Sequence, residues 1–180
     1  MIRSVLPFAC LCLAAAPLAA ETPTPGLADA RILPGWTQSD GSRMGAIEFQ
    51  LEPGWKTYWR SPGDAGLPPQ LAWDGSANLA GTEMRWPAPH RFTLFGIETF
   101  GYDGEVVFPI AARPAAPGQA LDLRASVDLL VCSDICVPQR LDLTLALPEG
   151  PASSAGADAN LIARFASRVP GDGAASGLSI

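Results

Sequence analysis

The sequence predicts an all-β chain folded as an antiparallel sandwich, with one short helix near its C-terminus. Three observations carry this. Apolar and polar residues alternate with a period of two over several short runs. Segments rich in Gly and Pro separate the runs, and no long helical pattern appears before residue 157.

The first 20 residues stand apart from that pattern. Arg3 supplies one positive charge, the apolar stretch V-L-P-F-A-C-L-C-L-A-A-A-P-L follows, and Ala19 and Ala20 close it. This is the layout of a secretory signal peptide, with cleavage expected after Ala20. As a membrane anchor the stretch is short and is interrupted by Pro7 and Pro17. Cys10 and Cys12 lie within it, lack the residues of a lipid-attachment signal, and are expected to leave with it. The mature protein is then expected to work outside the cytosol, where disulfides persist. Residues 21–29 read as an N-terminal extension.

The sandwich itself is expected over residues 30–148. Residues 46–51, A-I-E-F-Q-L, set Ile47, Phe49 and Leu51 on one face and Glu48 and Gln50 on the other. Residues 105–110, E-V-V-F-P-I, read as a more buried strand, with Pro109 pointing to an edge or a strand end. Residues 121–129 alternate most regularly: Leu121, Leu123, Ala125, Val127 and Leu129 face in, while Asp122, Arg124, Ser126 and Asp128 face out. Residues 140–147, R-L-D-L-T-L-A-L, repeat the pattern. One wet face per strand indicates antiparallel sheets. Turn-rich segments lie at 34–36, 39–42, 52–55, 61–66 and 116–119. An immunoglobulin-like sandwich fits this spacing, with a barrel as the alternative. Residues 149–180 read as a Pro/Ala/Gly/Ser-rich linker, a helix over 158–169 with Leu161, Ile162, Phe165 and Val169 on one face, and a disordered tail from 170.

Charge narrows the partners. Removing Arg3 from the 12 basic residues leaves 11 against 18 acidic ones, a net of −7. Lys56 is the one lysine, and there is no basic run. Such a surface is a poor match for nucleic acid or anionic membranes. No segment after residue 20 reaches the apolar length of a membrane span, so no membrane insertion of the mature chain is expected.

The mature chain holds two cysteines, in V-C-S-D-I-C-V-P at 131–138. Three readings compete. As a staple, a Cys132–Cys136 bond would close a loop of about five residues, and such a loop contributes only about 2 kcal/mol by chain entropy. As a redox pair, the cysteines lie between two predicted strands, where a partner's sulfur can reach them. No helix N-terminus follows to stabilise a thiolate, and Asp134 inside the loop disfavours one. The pair is therefore expected to be attacked as a disulfide rather than to attack. As a Cu(I) clamp, the two thiolates would recruit His90, the sole histidine, as a third ligand. No nucleophile–His motif, phosphate-binding Gly loop or cofactor fingerprint is present, so no cofactor is expected.

Four ordered blocks carry a family resemblance: P-G-W-K-T-Y-W-R-S-P-G-D-A-G-L-P-P (53–69), W-P-A-P (86–89), F-G-Y-D-G-E-V-V-F-P-I (100–110) and V-C-S-D-I-C-V-P (131–138). Together they resemble the N-terminal periplasmic domain of the thiol:disulfide interchange protein DsbD, in particular its variant in the copper-tolerance ScsB proteins. The resemblance implies an immunoglobulin-like domain with a redox-active cysteine pair. Such a domain takes electrons from a membrane electron-transfer protein through a thioredoxin-like domain and passes them to thioredoxin-like periplasmic partners. It implies a cap loop over the cysteines, here within R-F-T-L-F-G-I at 91–97, with Phe95 or Leu94 as the shielding side chain. It also implies an aromatic lining from the neighbouring strand, matched by Tyr58 and Trp59. The spacing of three residues between the cysteines departs from the wider gap of the best-known members. With no membrane or thioredoxin-like segment in this sequence, a relay module is expected rather than a complete reductase. An inert disulfide on a partner-binding sandwich is the remaining alternative.

Overall fold

Strand pairing explains nearly every run of alternating residues. The computed structural model describes residues 25–94, 96–153 and 155–171. The expected signal peptide, Phe95 and residues 172–180 lie outside the described residues.

Ten strands and one helix follow in order: β1 (Leu27–Thr37), β2 (Arg43–Leu51), β3 (Lys56–Gly63), β4 (Gln70–Ala72), β5 (Leu79–Met84), β6 (His90–Leu94), β7 (Ile97–Asp103), β8 (Glu105–Pro114), β9 (Leu121–Cys132), β10 (Cys136–Leu147) and α1 (Ala157–Ala166). One sheet runs β1-β2-β8-β5. The other runs β10-β9-β3-β7-β6, with β4 added on β9, and all pairings are antiparallel. This is the immunoglobulin-like sandwich that the alternation predicts.

The core lies between the sheets. From β9 come Leu121, Leu123, Ala125, Val127, Leu129 and Val131; opposite them lie Ile47, Phe49, Val106, Phe108 and Ile110. Phe108 is its aromatic centre, with Phe49, Trp86 and Tyr102 set edge-on at ring distances of 5.9, 5.1 and 5.2 Å. Edge-on rings add stabilisation beyond the area that they bury.

A second, smaller core covers the outer face of the four-stranded sheet. Ile162 and Phe165 of α1 pack on Leu33, Met44, Ala46 and Val107. Over Met44, Ala46 and Glu48 this face is therefore not wet, and it reaches solvent at Gln50. Glu48 is buried, accepts from Arg31 Nε at 2.6 Å and from Gln50 Nε2 at 3.0 Å, and Arg31 continues to Asp158 of the helix at 3.4 Å. A buried carboxylate needs partners of this kind.

Four expectations are corrected by the strands. β1 begins at Leu27, inside the expected extension, and Gln139 Nε2 donates to the carbonyl of Pro25 at 2.9 Å. Pro34-Gly35-Trp36 is not a turn but part of β1, at a register irregularity. A Cβ at Gly35 would lie 2.4 Å from the Met44 carbonyl oxygen, so only glycine permits that approach. Pro109 sits within a central strand rather than at an edge. Its carbonyl accepts from the Arg85 N–H, so its missing N–H faces the flank that β5 leaves at Met84. The helix ends at Ala166, three residues earlier than its periodicity suggests, and the linker before it is tethered. Arg43 donates to the carbonyls of Gly150 and Pro148, and the Thr37 N–H donates to Ala152 O.

Candidate functional site

β9 and β10 are the longest strands, and their ladder runs from Leu121↔Leu147 to Cys132↔Cys136. The cysteines are thus not in a loose connection between strands. They form the last rung of the ladder, and residues 133–135 make the turn, with the Ser133 N–H donating to Ile135 O at 2.9 Å. Opposed residues of an antiparallel pair bring their side chains together. Here the two sulfurs are bonded at 2.10 Å.

Period two decides which face the pair occupies. Leu129 and Val131 point into the sandwich, so Leu130 and Cys132 point out of it. Out there a third apolar cluster forms, made of Tyr58, Leu94 and Cys132, with Phe92 and Leu130 against it. β3 contributes Tyr58 because Lys56 lies in register with Cys132, which puts Lys56, Tyr58 and Cys132 on one face. The Thr57 hydroxyl donates to Leu130 O at 3.0 Å and ties β3 to β9 at that level. β6 contributes Phe92 and Leu94 from the hairpin that it forms with β7.

Burial splits the disulfide. Cys132 is 0% exposed, whereas Cys136, Asp134 and Ile135 (60%) are exposed at the hairpin tip. Burial in this cluster raises the pKa of the Tyr58 hydroxyl above its ordinary value.

The sequence-derived residues separate on this map. Cys132, Cys136, Tyr58 and Leu94 are brought together; Asp134 is at the exposed tip; Phe95 is outside the described residues. Trp59 does not line the site. It points the other way from Tyr58, packs on the sandwich core, and lies 5.0 Å from the Arg60 guanidinium. His90 does not join the cysteines either. Its Nδ1 faces Asp103 at 3.6 Å, in a cleft with Tyr102, Glu105 and Arg168. Among the described residues no three His, Cys, Asp or Glu side chains converge on a possible metal position.

Two contacts escaped the sequence. The β3–β4 loop lays Gly66 on the Tyr58 ring: a Cβ there would lie 2.2 Å from Tyr58 Cδ1, and the backbone is at φ +102°. Read alone, P-G-D-A-G signals only a turn. Lys56 Nζ lies 5.5 Å over the Phe92 ring and 3.3 Å from Gly54 O. Its spacing of two from Tyr58 would have placed it on the same face, had β3 been recognised.

Residues 29–148 match the family model described as "Thiol:disulfide interchange protein DsbD, N-terminal". Among solved structures, the N-terminal periplasmic domain of ScsB from Proteus mirabilis superposes with a TM-score of 0.63 at 33% identity. That match covers 78% of this chain and 53% of the other, so the chain spans about half the length of that structure. The reduced N-terminal domain of DsbD from Neisseria meningitidis is more distant, with a TM-score of 0.36, 14% identity and coverage of 67% and 88%. No curated protein matches the chain.

Proposed function

The chain belongs to the family of the DsbD N-terminal domain, and from that membership we propose that it is a periplasmic relay, cycling Cys132–Cys136 between disulfide and dithiol. Thiol–disulfide exchange in general follows from the family and its bonded cysteine pair. The observation that carries the finer reading is the split burial of that bond: Cys136 is exposed, and Cys132 is sealed beneath Tyr58 and Leu94.

In this reading a partner thiolate attacks Sγ of Cys136 in line with the Cys132–Cys136 bond. A new partner–Cys136 bond forms, the old bond breaks, and its electron pair leaves on Sγ of Cys132. A second thiol of the partner then attacks its own bridged sulfur. The partner departs as a disulfide, and the chain keeps two electrons and two thiols. The reduced pair repeats the steps in reverse on the disulfide of the next protein. Thioredoxin-like periplasmic proteins suit both roles, because their exposed cysteine reaches a sulfur at a hairpin tip. A membrane electron-transfer protein would supply the electrons. No cofactor enters this cycle.

Leu94, with the neighbouring Phe95, is proposed as the cap. It covers the sulfur that leaves, so the pair stays unreactive until a partner displaces the β6–β7 tip. Single-cysteine variants test the whole reading. Cys132→Ser should form a mixed disulfide with a thioredoxin-like partner through Cys136, and Cys136→Ser should not. Equal trapping by both variants, or by neither, would contradict it.

A further inference from the structure

We propose that Lys56 is an electrostatic positioning residue for the exchange, one that stabilises the thiolate developing on Cys132. The inference rests on the reading above and adds to it a residue outside the cysteine pair and its apolar cover.

Its starting point is a cost in that cycle. The sulfur that must leave is the buried one, at 0% exposure among Tyr58, Leu94, Phe92 and Leu130. An apolar surround disfavours a thiolate, and a poorer leaving group slows exchange. A cation facing that sulfur offsets the cost. Lys56 is the register partner of Cys132 on the adjacent strand, so the two side chains share a face. It is half-buried, and its ammonium lies over Phe92, a member of the same cluster.

The other charged groups around the pair are engaged elsewhere or carry the wrong sign. On β7, Asp103 is in register with Lys56 but lies 3.6 Å from His90 Nδ1, and Glu98 pairs with Arg91 of β6 at 3.4 Å. On β3, Arg60 lies over Trp59. On the turn, Asp134 is negative and exposed. Among the described residues Lys56 forms no ion pair. Its hydrogen bond goes to a neutral carbonyl, Gly54 O, and among the described residues no carboxylate oxygen lies within ion-pair distance of its ammonium. When the Cys132–Cys136 bond breaks, the electron pair arrives on the sulfur of Lys56's register partner, in the cluster that holds Phe92. Tyr58, its ionisation suppressed by burial, stays neutral meanwhile.

The test uses the full chain with Lys56→Met and Lys56→Arg. Two readouts need no partner: the pH midpoint of thiolate ultraviolet absorbance in the reduced protein, and the rate at which dithiothreitol reduces the oxidised one. Lys56→Met should raise the midpoint by about half to one pH unit and slow reduction about three- to tenfold. Lys56→Arg should keep both near the parent values. A Lys56→Met protein that is folded by circular dichroism with an unchanged midpoint would overturn the proposal. So would faster reduction, which would mean that Lys56 serves only to clasp the hairpin through Phe92. The midpoint is measured without exchange, so this outcome stays separate from failure of the relay reading, which the single-cysteine variants report.

Discussion

Cys132 and Cys136 face each other on the last rung of one hairpin, yet one is fully buried and the other is exposed. In the proposed relay that asymmetry gives different parts to two otherwise equivalent sulfurs. In the reduced protein, iodoacetamide followed by peptide mapping should label Cys136 at least about tenfold faster than Cys132, because reaction follows thiolate character and access. Equal labelling would mean that the hairpin tip opens freely.

Leu94 lies against Tyr58 and Cys132 at 8% exposure. Leu94→Ala should therefore speed reduction of the oxidised pair by small thiols several-fold. It should cost about 1–3 kcal/mol in urea unfolding, below the usual range for a core leucine because the hairpin can settle into the gap. An unchanged reduction rate would remove Leu94 from the cap.

Gly66 is where the β3–β4 loop meets the Tyr58 ring. Gly66→Ala puts a methyl group into that ring and strains a backbone held at φ +102°. We expect a loss of about 1–3 kcal/mol, read from the urea midpoint, together with faster reduction as Tyr58 shifts away from the sulfurs. A stable variant with parental kinetics would show that the loop has room to move without disturbing the site.

Ile162 fills the second core on the outer face of the other sheet, away from the disulfide. Ile162→Ala should cost about 2–4 kcal/mol and leave the reduction rate of the Cys132–Cys136 bond unchanged. A changed rate would tie the helix to the site.

The architecture was legible where one face of a strand is wet. β9 and β10 alternate cleanly because their outer residues, such as Asp122, Arg124 and Asp142, meet solvent. For β2 the inward face was legible, but not that α1 covers the outer side it shares with β8, where Glu48 is buried with Arg31. β1, β4 and β5 were not recognised as strands from periodicity, and neither were β3, β6 and β7. The polar residues of the latter three sit among aromatics that pack on both faces, Tyr58 outward and Trp59 inward. The site was legible to the extent that its blocks resemble a family: Cys132, Cys136, Tyr58 and Leu94 do converge. Trp59 was misplaced because adjacent residues on a strand point to opposite faces. Lys56 and Gly66 were missed for different reasons: Lys56 is in register with Cys132 on a strand distant in sequence, and Gly66 folds back on the Tyr58 ring through a loop whose path the sequence does not show. Only the register of β3 on β9 and the path of the β3–β4 loop reveal them.

The reduction potential of the Cys132–Cys136 pair, measured by thiol trapping across glutathione redox buffers, tests the relay most directly. The account predicts a value above about −300 mV, within reach of periplasmic thiol partners. A value well below that would mark the bond as a structural one, resistant to exchange, and would contradict the proposed function.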